Sequence, residues 1–221
     1  MSFAVARPLL APGPKEAAAL LAAAPGRPLE LARPEAEAER LRDLLADADL
    51  GQDWAATGEV AAGLAPWPVA HLEEGLLDAW QGAGCEANTG VVEALVQDAL
   101  EQAAWLCALA GRVELPLRGC LLAWAVHRGQ PCRRLHRDTL PLRIVTAYVG
   151  AGTEWVLDEG LLGAEEVPDA GALHRCAPLT PLVLPGKLAW GAAAPGIIHR
   201  SPPLDGSSPR LVLRVDAVPA P

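Results

Sequence analysis

The sequence predicts an α+β fold, with a helical N-terminal region packed on a C-terminal β-barrel. Apolar positions recur at helical spacing up to Gly111, and short β-type runs broken by Pro and Gly follow it. Half of the 221 residues are hydrophobic, enough for one sizeable core. The expected division is 1–111 and 112–221.

Residues 1–34 are rich in Ala, Pro and Gly. The reading there is one short helix, about Lys15 to Ala24, between proline breaks, with partial disorder around it. In "PEAEAERLRDLLADADL", Pro34 suits a first helical turn, and Leu41, Leu44 and Leu45 form one stripe. "WPVAHLEEGLLDAWQGAG" reads as a helix ending near Gly82 or Gly84. The longest helix is expected in "NTGVVEALVQDALEQAAWLCALAG", capped by Asn88 or Thr89 and ended by Gly111. After it come the strand candidates "RGCLLAWAV", "CRRLHRD", "LRIVTAYVG", "TEWVLD", "PLVLPG", "KLAWG", "GIIHR" and "RLVLRVD". About eight short strands with frequent turns suit a sandwich or barrel.

The net charge of −9 argues against non-specific nucleic-acid binding, which needs a basic face. Two lysines stand against sixteen arginines, a skew read as GC-rich coding bias. Five cysteines, Cys85, Cys107, Cys120, Cys132 and Cys176, form no CxxC pair and read as free thiols of a reducing cytoplasm. No run approaches the roughly 20 apolar residues of a membrane span, and no signal peptide is evident. The chain lacks a GxSxG elbow, a phosphate-cradling GxxxxGK loop, a GxGxxG turn and HExxH.

The chemistry concentrates in "LHRDTLPLRIVTAYVGAGTEW". If that stretch starts as a strand, His136 and Asp138 point to one face, about 7 Å apart along the chain. His199 lies 63 residues beyond His136, in "GIIHRSPP". Two histidines and a carboxylate on one face of a metal leave positions open, the arrangement suited to non-haem Fe(II) oxygenases. The same residues would also serve as a His–carboxylate hydrogen bond at a turn. Arg210 and Arg214 follow His199 by 11 and 15 residues and share a strand face with Val212. Inward arginines are costly without anions, and a carboxylate ligand would satisfy one; otherwise Asp205, Asp216 or Glu154 would pair with them. Thr146 and Tyr148 share a face of the next β-run, and either would hydrogen-bond a ligand or sit in the core. Trp155 and Trp190 line the pocket or pack the core. Cys132 is a poor co-ligand at about 13 Å along an extended strand, and His71, His127 and His174 sit in unrelated contexts.

HxD, a distal histidine and an arginine about ten residues on resemble the motif of Fe(II)/2-oxoglutarate dioxygenases, and "GKLAWGAAAPGIIHR" resembles the segment before their distal histidine. The likeness covers about Leu121 to Asp216. It implies a cupin-like, jelly-roll double-stranded β-helix. It further implies metal ligation by His136, Asp138 and His199, and cosubstrate or substrate contacts from Arg210, Arg214 and Thr146. The cofactors would be Fe(II) and 2-oxoglutarate, and the substrate a small molecule or peptide.

A closer resemblance, at "LHRDTLPLRIVTAYVGAGTEWV", "HRSPP" and "RLVLRVD", is to the bacterial domain-of-unknown-function 1826 family. Genes of that family often lie beside zinc-homeostasis genes, which implies zinc as a rival to iron in a non-oxidative metal protein. Arg137 departs from the apolar residue expected between the two ligands, and as an outward-facing side chain it would be harmless. A purely structural or partner-binding barrel is the third expectation.

Overall fold

Alternation along the final strand sets the architecture. In Arg210–Pro219 (β10), Leu211, Leu213, Val215 and Ala217 are buried in the main core, while Arg210, Val212, Arg214 and Asp216 take the opposite face. The computed structural model describes residues 9–63, 67, 69–86, 88–168, 170–190, 195–206 and 208–221. Within them, β10 sits inside a seven-stranded sheet. From one edge the order is Leu9–Ala11 (β1), Leu29–Leu31 (β2), Leu182–Pro185 (β8), Leu142–Val149 (β5), β10, Leu117–His127 (β4) and Trp54–Ala61 (β3). Only β1 and β2 pair in parallel.

The two faces of this sheet meet different partners. On the Leu211 side lie the helices Pro14–Ala23 (α1), Glu35–Ala46 (α2), Ala70–Gly82 (α3) and Thr89–Arg112 (α4). Helix α4 crosses β4, β5 and β10, and α3 packs on β3. On the other side lies a small sheet of His174–Arg175 (β7), Glu154–Val156 (β6) and Ile198–Arg200 (β9), in the order β7-β6-β9. Trp155, Cys176 and Ile197 form a second core there with Ala125, Val145, Leu182, Leu184 and Val212. Among the described residues no helix is long and apolar enough to cross a membrane.

Several expectations are corrected. Three strands precede Gly111, so the N-terminal region is not purely helical. From residue 9 the chain docks by β1, α1 and β2; residues 1–8, within the segment expected to be partly disordered, lie outside the described residues. Helix α4 passes Gly111 and ends at Arg112. Glu114 takes the left-handed turn (φ 56°), and Leu115 N donates to the Ala110 carbonyl at 2.9 Å. Asn88 caps its start, accepting from Gly90 N at 2.9 Å.

"CRRLHRD" is not a strand. Leu135 bonds Ala164 and Gly163, while His136 bonds His199, so consecutive residues serve different partners and no ladder forms. In "KLAWG", residues 187–190 make a turn, and Gly191 lies outside the described residues.

Thr146 and Tyr148 face the helices. The Tyr148 hydroxyl donates to Asp98 of α4, and Thr146 Oγ1 donates to Gln102 Oε1 at 2.8 Å. Asp98, 4% exposed, also pairs with Arg33 at 2.6 Å and accepts from Gln102 Nε2 at 2.7 Å. This buried network pins α4 to β5. Breaking a buried pair from one side leaves a charge stranded, so Asp98→Ala is expected to cost about 3–5 kcal/mol. Urea unfolding measures it, and an unchanged midpoint would mean the network does not hold the layers together.

Candidate metal centre

The centre is assembled by one backbone contact between distant segments. His136 N donates to the His199 carbonyl, and His199 N to the His136 carbonyl, both at 2.9 Å. Two residues that exchange both bonds stand directly opposite, so their side chains leave the same face. The imidazole centroids lie 4.6 Å apart. His199 belongs to β9, held against β6 by the register Trp155↔His199. His136 comes from the irregular loop before β5.

Asp138 completes the group. Its Oδ1 lies 3.6 Å from His136 Nε2 and its Oδ2 3.2 Å from His199 Nε2. The three donor atoms all fall within 4.8 Å of one another. Each imidazole is oriented from behind: Nδ1 of His136 faces the Arg134 carbonyl and Nδ1 of His199 the Ile197 carbonyl, both at 3.0 Å. A carbonyl only accepts, so Nδ1 carries a proton, and release of the Nε2 proton that otherwise faces Asp138 would leave a lone pair directed inward for a metal. The donor chemistry therefore fits a divalent metal held by two neutral imidazoles and a carboxylate.

Arg143 of β5 fixes the carboxylate. Its Nη1 donates to Asp138 Oδ2 at 2.5 Å, while Nε and Nη2 grip Asp216 at 2.5 and 2.8 Å. Burial opposes ionisation of Asp138, but hydrogen bonds from His136 and His199 and the Arg143 charge outweigh it. The carboxyl is held well below the usual carboxylate range. The hydrogen bond to Asp138 raises the His136 pKa above 6.5 against the opposing effect of burial.

The loop carrying Asp138 is clamped from below. Lys187 N donates to the Asp138 carbonyl at 2.9 Å. A Cβ on Gly186 would meet the Leu140 carbonyl oxygen at 2.1 Å, so only glycine allows that approach. Arg137 is not free in solvent: its Nε donates to the Gly196 carbonyl at 3.0 Å and its Nη2 pairs with Glu159.

Beside the centre opens a cavity of about 290 Å³, whose walls include His136, His199, Arg143, Arg200, Arg210 and Arg214. Arg210 is 3% exposed. Its Nε donates to the Ala151 carbonyl at 2.8 Å and its Nη2 to Thr153 Oγ1 at 3.2 Å. Among the described residues no carboxylate pairs with it, and burial pushes its pKa down to about 10. Two of the acids proposed from sequence are engaged elsewhere: Asp216 holds Arg143, and Glu154 holds Arg175 and Arg200.

Thr146 is on the wrong face to reach this cavity, because β5 presents Arg143 and Val145 to it instead. Trp155 is buried in the small core against His174, and Trp190 packs on the main core. Cys132 lines the cavity without joining the three donors. His127 lines it too, opposite Arg210, against the expectation that it is unconnected. Arg143 and Asp216 were not anticipated as supports. The signal for Arg143 was an arginine opening an otherwise apolar β-run.

A second acidic group, Glu37, Asp98 and Glu101, lies among the helices, but Arg33 already pairs with Glu37 and Asp98.

A family model described as "Protein of unknown function (DUF1826)" matches residues 69–216. The chain belongs to the DUF1826 family. No curated protein matches it in sequence.

Solved structures resemble this DUF1826 member in fold. A rice dioxygenase for auxin oxidation superposes with a TM-score of 0.56 at 15% identity, over 97% of this chain and 84% of that one. The Arabidopsis thaliana dioxygenase for auxin oxidation 1, solved as a 2-oxoglutarate binary complex, gives 0.56 at 11% identity, over 97% and 94%. A full-length Neurospora crassa protein in complex with α-KG gives 0.50 at 11% identity, over 93% and 80%. The likeness is to the Fe(II)/2-oxoglutarate dioxygenase fold.

His199→Ala and Asp138→Ala are each expected to abolish stoichiometric Co(II) or Zn(II) uptake, while Thr146→Val leaves it intact. Protons compete with metal at His136, whose raised pKa extends that competition upward. Affinity at about pH 6 should fall at least about tenfold below that at about pH 8. Calorimetric titration reads both effects, and pH-independent affinity would contradict imidazole ligation.

Proposed function

We propose that this DUF1826 protein is a non-haem Fe(II)- and 2-oxoglutarate-dependent oxygenase. The observation that carries the reading is Arg210. A buried guanidinium with only neutral acceptors shares a cavity with a His–Asp–His donor set. A buried cation without a counter-charge costs several kcal/mol, and an anionic ligand removes that cost. A dicarboxylate that reaches a metal at one end and Arg210 at the other meets both demands. The shared fold with dioxygenases, one of them crystallised with 2-oxoglutarate, supports the same reading.

Bound together, Fe(II) and 2-oxoglutarate supply the oxidation of a substrate C–H bond by O₂, with succinate and CO₂ as coproducts. The chain's own residues hold geometry. His136 and His199 present Nε2 with the tautomer fixed from behind, and Arg143 braces the Asp138 carboxylate with a charged hydrogen bond. Arg210 pairs with the remote carboxylate, where a bidentate contact also fixes its orientation. Two neutral imidazoles and one carboxylate would leave positions on the metal for ligands other than protein, which separates this set from a closed structural zinc site.

Anaerobic addition of Fe(II) and 2-oxoglutarate is expected to give a weak visible charge-transfer band, and admission of O₂ to release succinate. Arg210→Met should weaken 2-oxoglutarate binding by about tenfold to a hundredfold, the range of a lost charged hydrogen bond, and leave Co(II) affinity unchanged. Tight zinc binding with no band and no succinate would instead favour a non-oxidative metal protein.

A further inference from the structure

The cavity wall has a charge opposite in sign to the chain. The protein carries 27 acidic and 18 basic residues, yet among the described residues the lining side chains include four arginines and no carboxylate. Two of those arginines are neutralised from outside the wall, Arg143 by Asp138 and Asp216 and Arg200 by Glu154. Arg210 has neutral partners only. Arg214 is exposed, lines the same cavity, and among the described residues has no carboxylate partner.

The spacing of the two remaining cations matters. Arg210 and Arg214 are four residues apart on one face of β10, about 13 Å along the strand. One carboxylate group cannot satisfy both. Between them the wall is low and apolar: Val212 stands opposite Ala125, and Ala125 opposite Ala55. Asp216, the next residue on that face, is held in a bidentate grip by Arg143.

If Arg210 anchors 2-oxoglutarate, as the oxygenase reading on which this inference rests requires, a second unmatched cation remains for a second anion. We propose that the substrate is a small organic anion, its charged head on Arg214 and its apolar body over Ala55, Ala125 and Val212. Carboxylate and phosphate monoester heads share this chemistry. Arg214 acts as a specificity determinant through charge pairing.

The test uses Co(II)-loaded protein with saturating 2-oxoglutarate, titrated by calorimetry with benzoate, phenyl phosphate and the uncharged benzamide. At least one anion should bind about tenfold or more tighter than benzamide. Arg214→Gln should lose that advantage without changing benzamide binding, and Arg214→Lys should restore part of it. Arg112→Gln, on the exposed end of α4, is the control. The better-bound anion tells carboxylate from phosphate.

Equal affinity for all three probes, or anion binding unchanged by Arg214→Gln, overturns the proposal. So does an Arg214→Gln variant that loses 2-oxoglutarate instead of the probe, because Arg214 would then belong to the cosubstrate. If the unaltered protein takes up no 2-oxoglutarate, the oxygenase reading falls. Arg214-dependent benzoate or phenyl phosphate binding in that same protein still upholds an anion site.

Discussion

The candidate centre depends on one two-hydrogen-bond bridge. His136 and His199 are far apart in sequence and lie in different kinds of structure, a loop and a short strand. Exchanging both backbone bonds forces them opposite one another and sends both imidazoles to one side. Everything else in the centre is adjustment around that constraint. Asp138 reaches the pair because Lys187 and Gly186 hold its loop close, and its charge is kept by the two histidines and by Arg143.

Electrostatics divide the cavity into closed and open accounts. The Asp138–Arg143–Asp216 chain and the Glu154–Arg200 pair are internally matched. They lend rigidity and leave little for a ligand to gain. Arg210 is unmatched and desolvated, so binding an anion there relieves a cost already present in the free protein. That difference, rather than the number of arginines, is what marks Arg210 as the candidate anchor.

Much of this was legible from sequence because it rests on local pattern. The long helix announced itself by its apolar stripe and Asn88, and strands β4, β5, β8, β9 and β10 by compact β-type runs. The His136, Asp138 and His199 group and Arg210 were visible as spaced polar residues in apolar surroundings. What failed depended on contacts across the sheet. Strand β3, WAATGEVA, interleaves Trp54, Thr57 and Val60 with Ala, Gly and Glu, weak β-formers that blur its pattern, and at Gly58 the Leu72 side chain of α3 fills the place a Cβ would take. The Arg143–Asp216 pair is 73 residues apart in sequence and exists only through the β5–β10 register. Thr146 was placed on the wrong side because both faces of β5 are covered. Alternation then tells which residues go together but not which set meets the cavity.

The same alternation in β10 has an evolutionary consequence. Leu211, Leu213, Val215 and Ala217 are tied to the helices, whereas Arg210, Val212 and Arg214 look onto the cavity. A single strand thus separates positions whose drift threatens folding from positions whose drift alters what is bound. On the cavity face, exposed Arg214 is the position where exchange alters the ligand while Arg210, Asp216 and the scaffold on the reverse side are inherited intact.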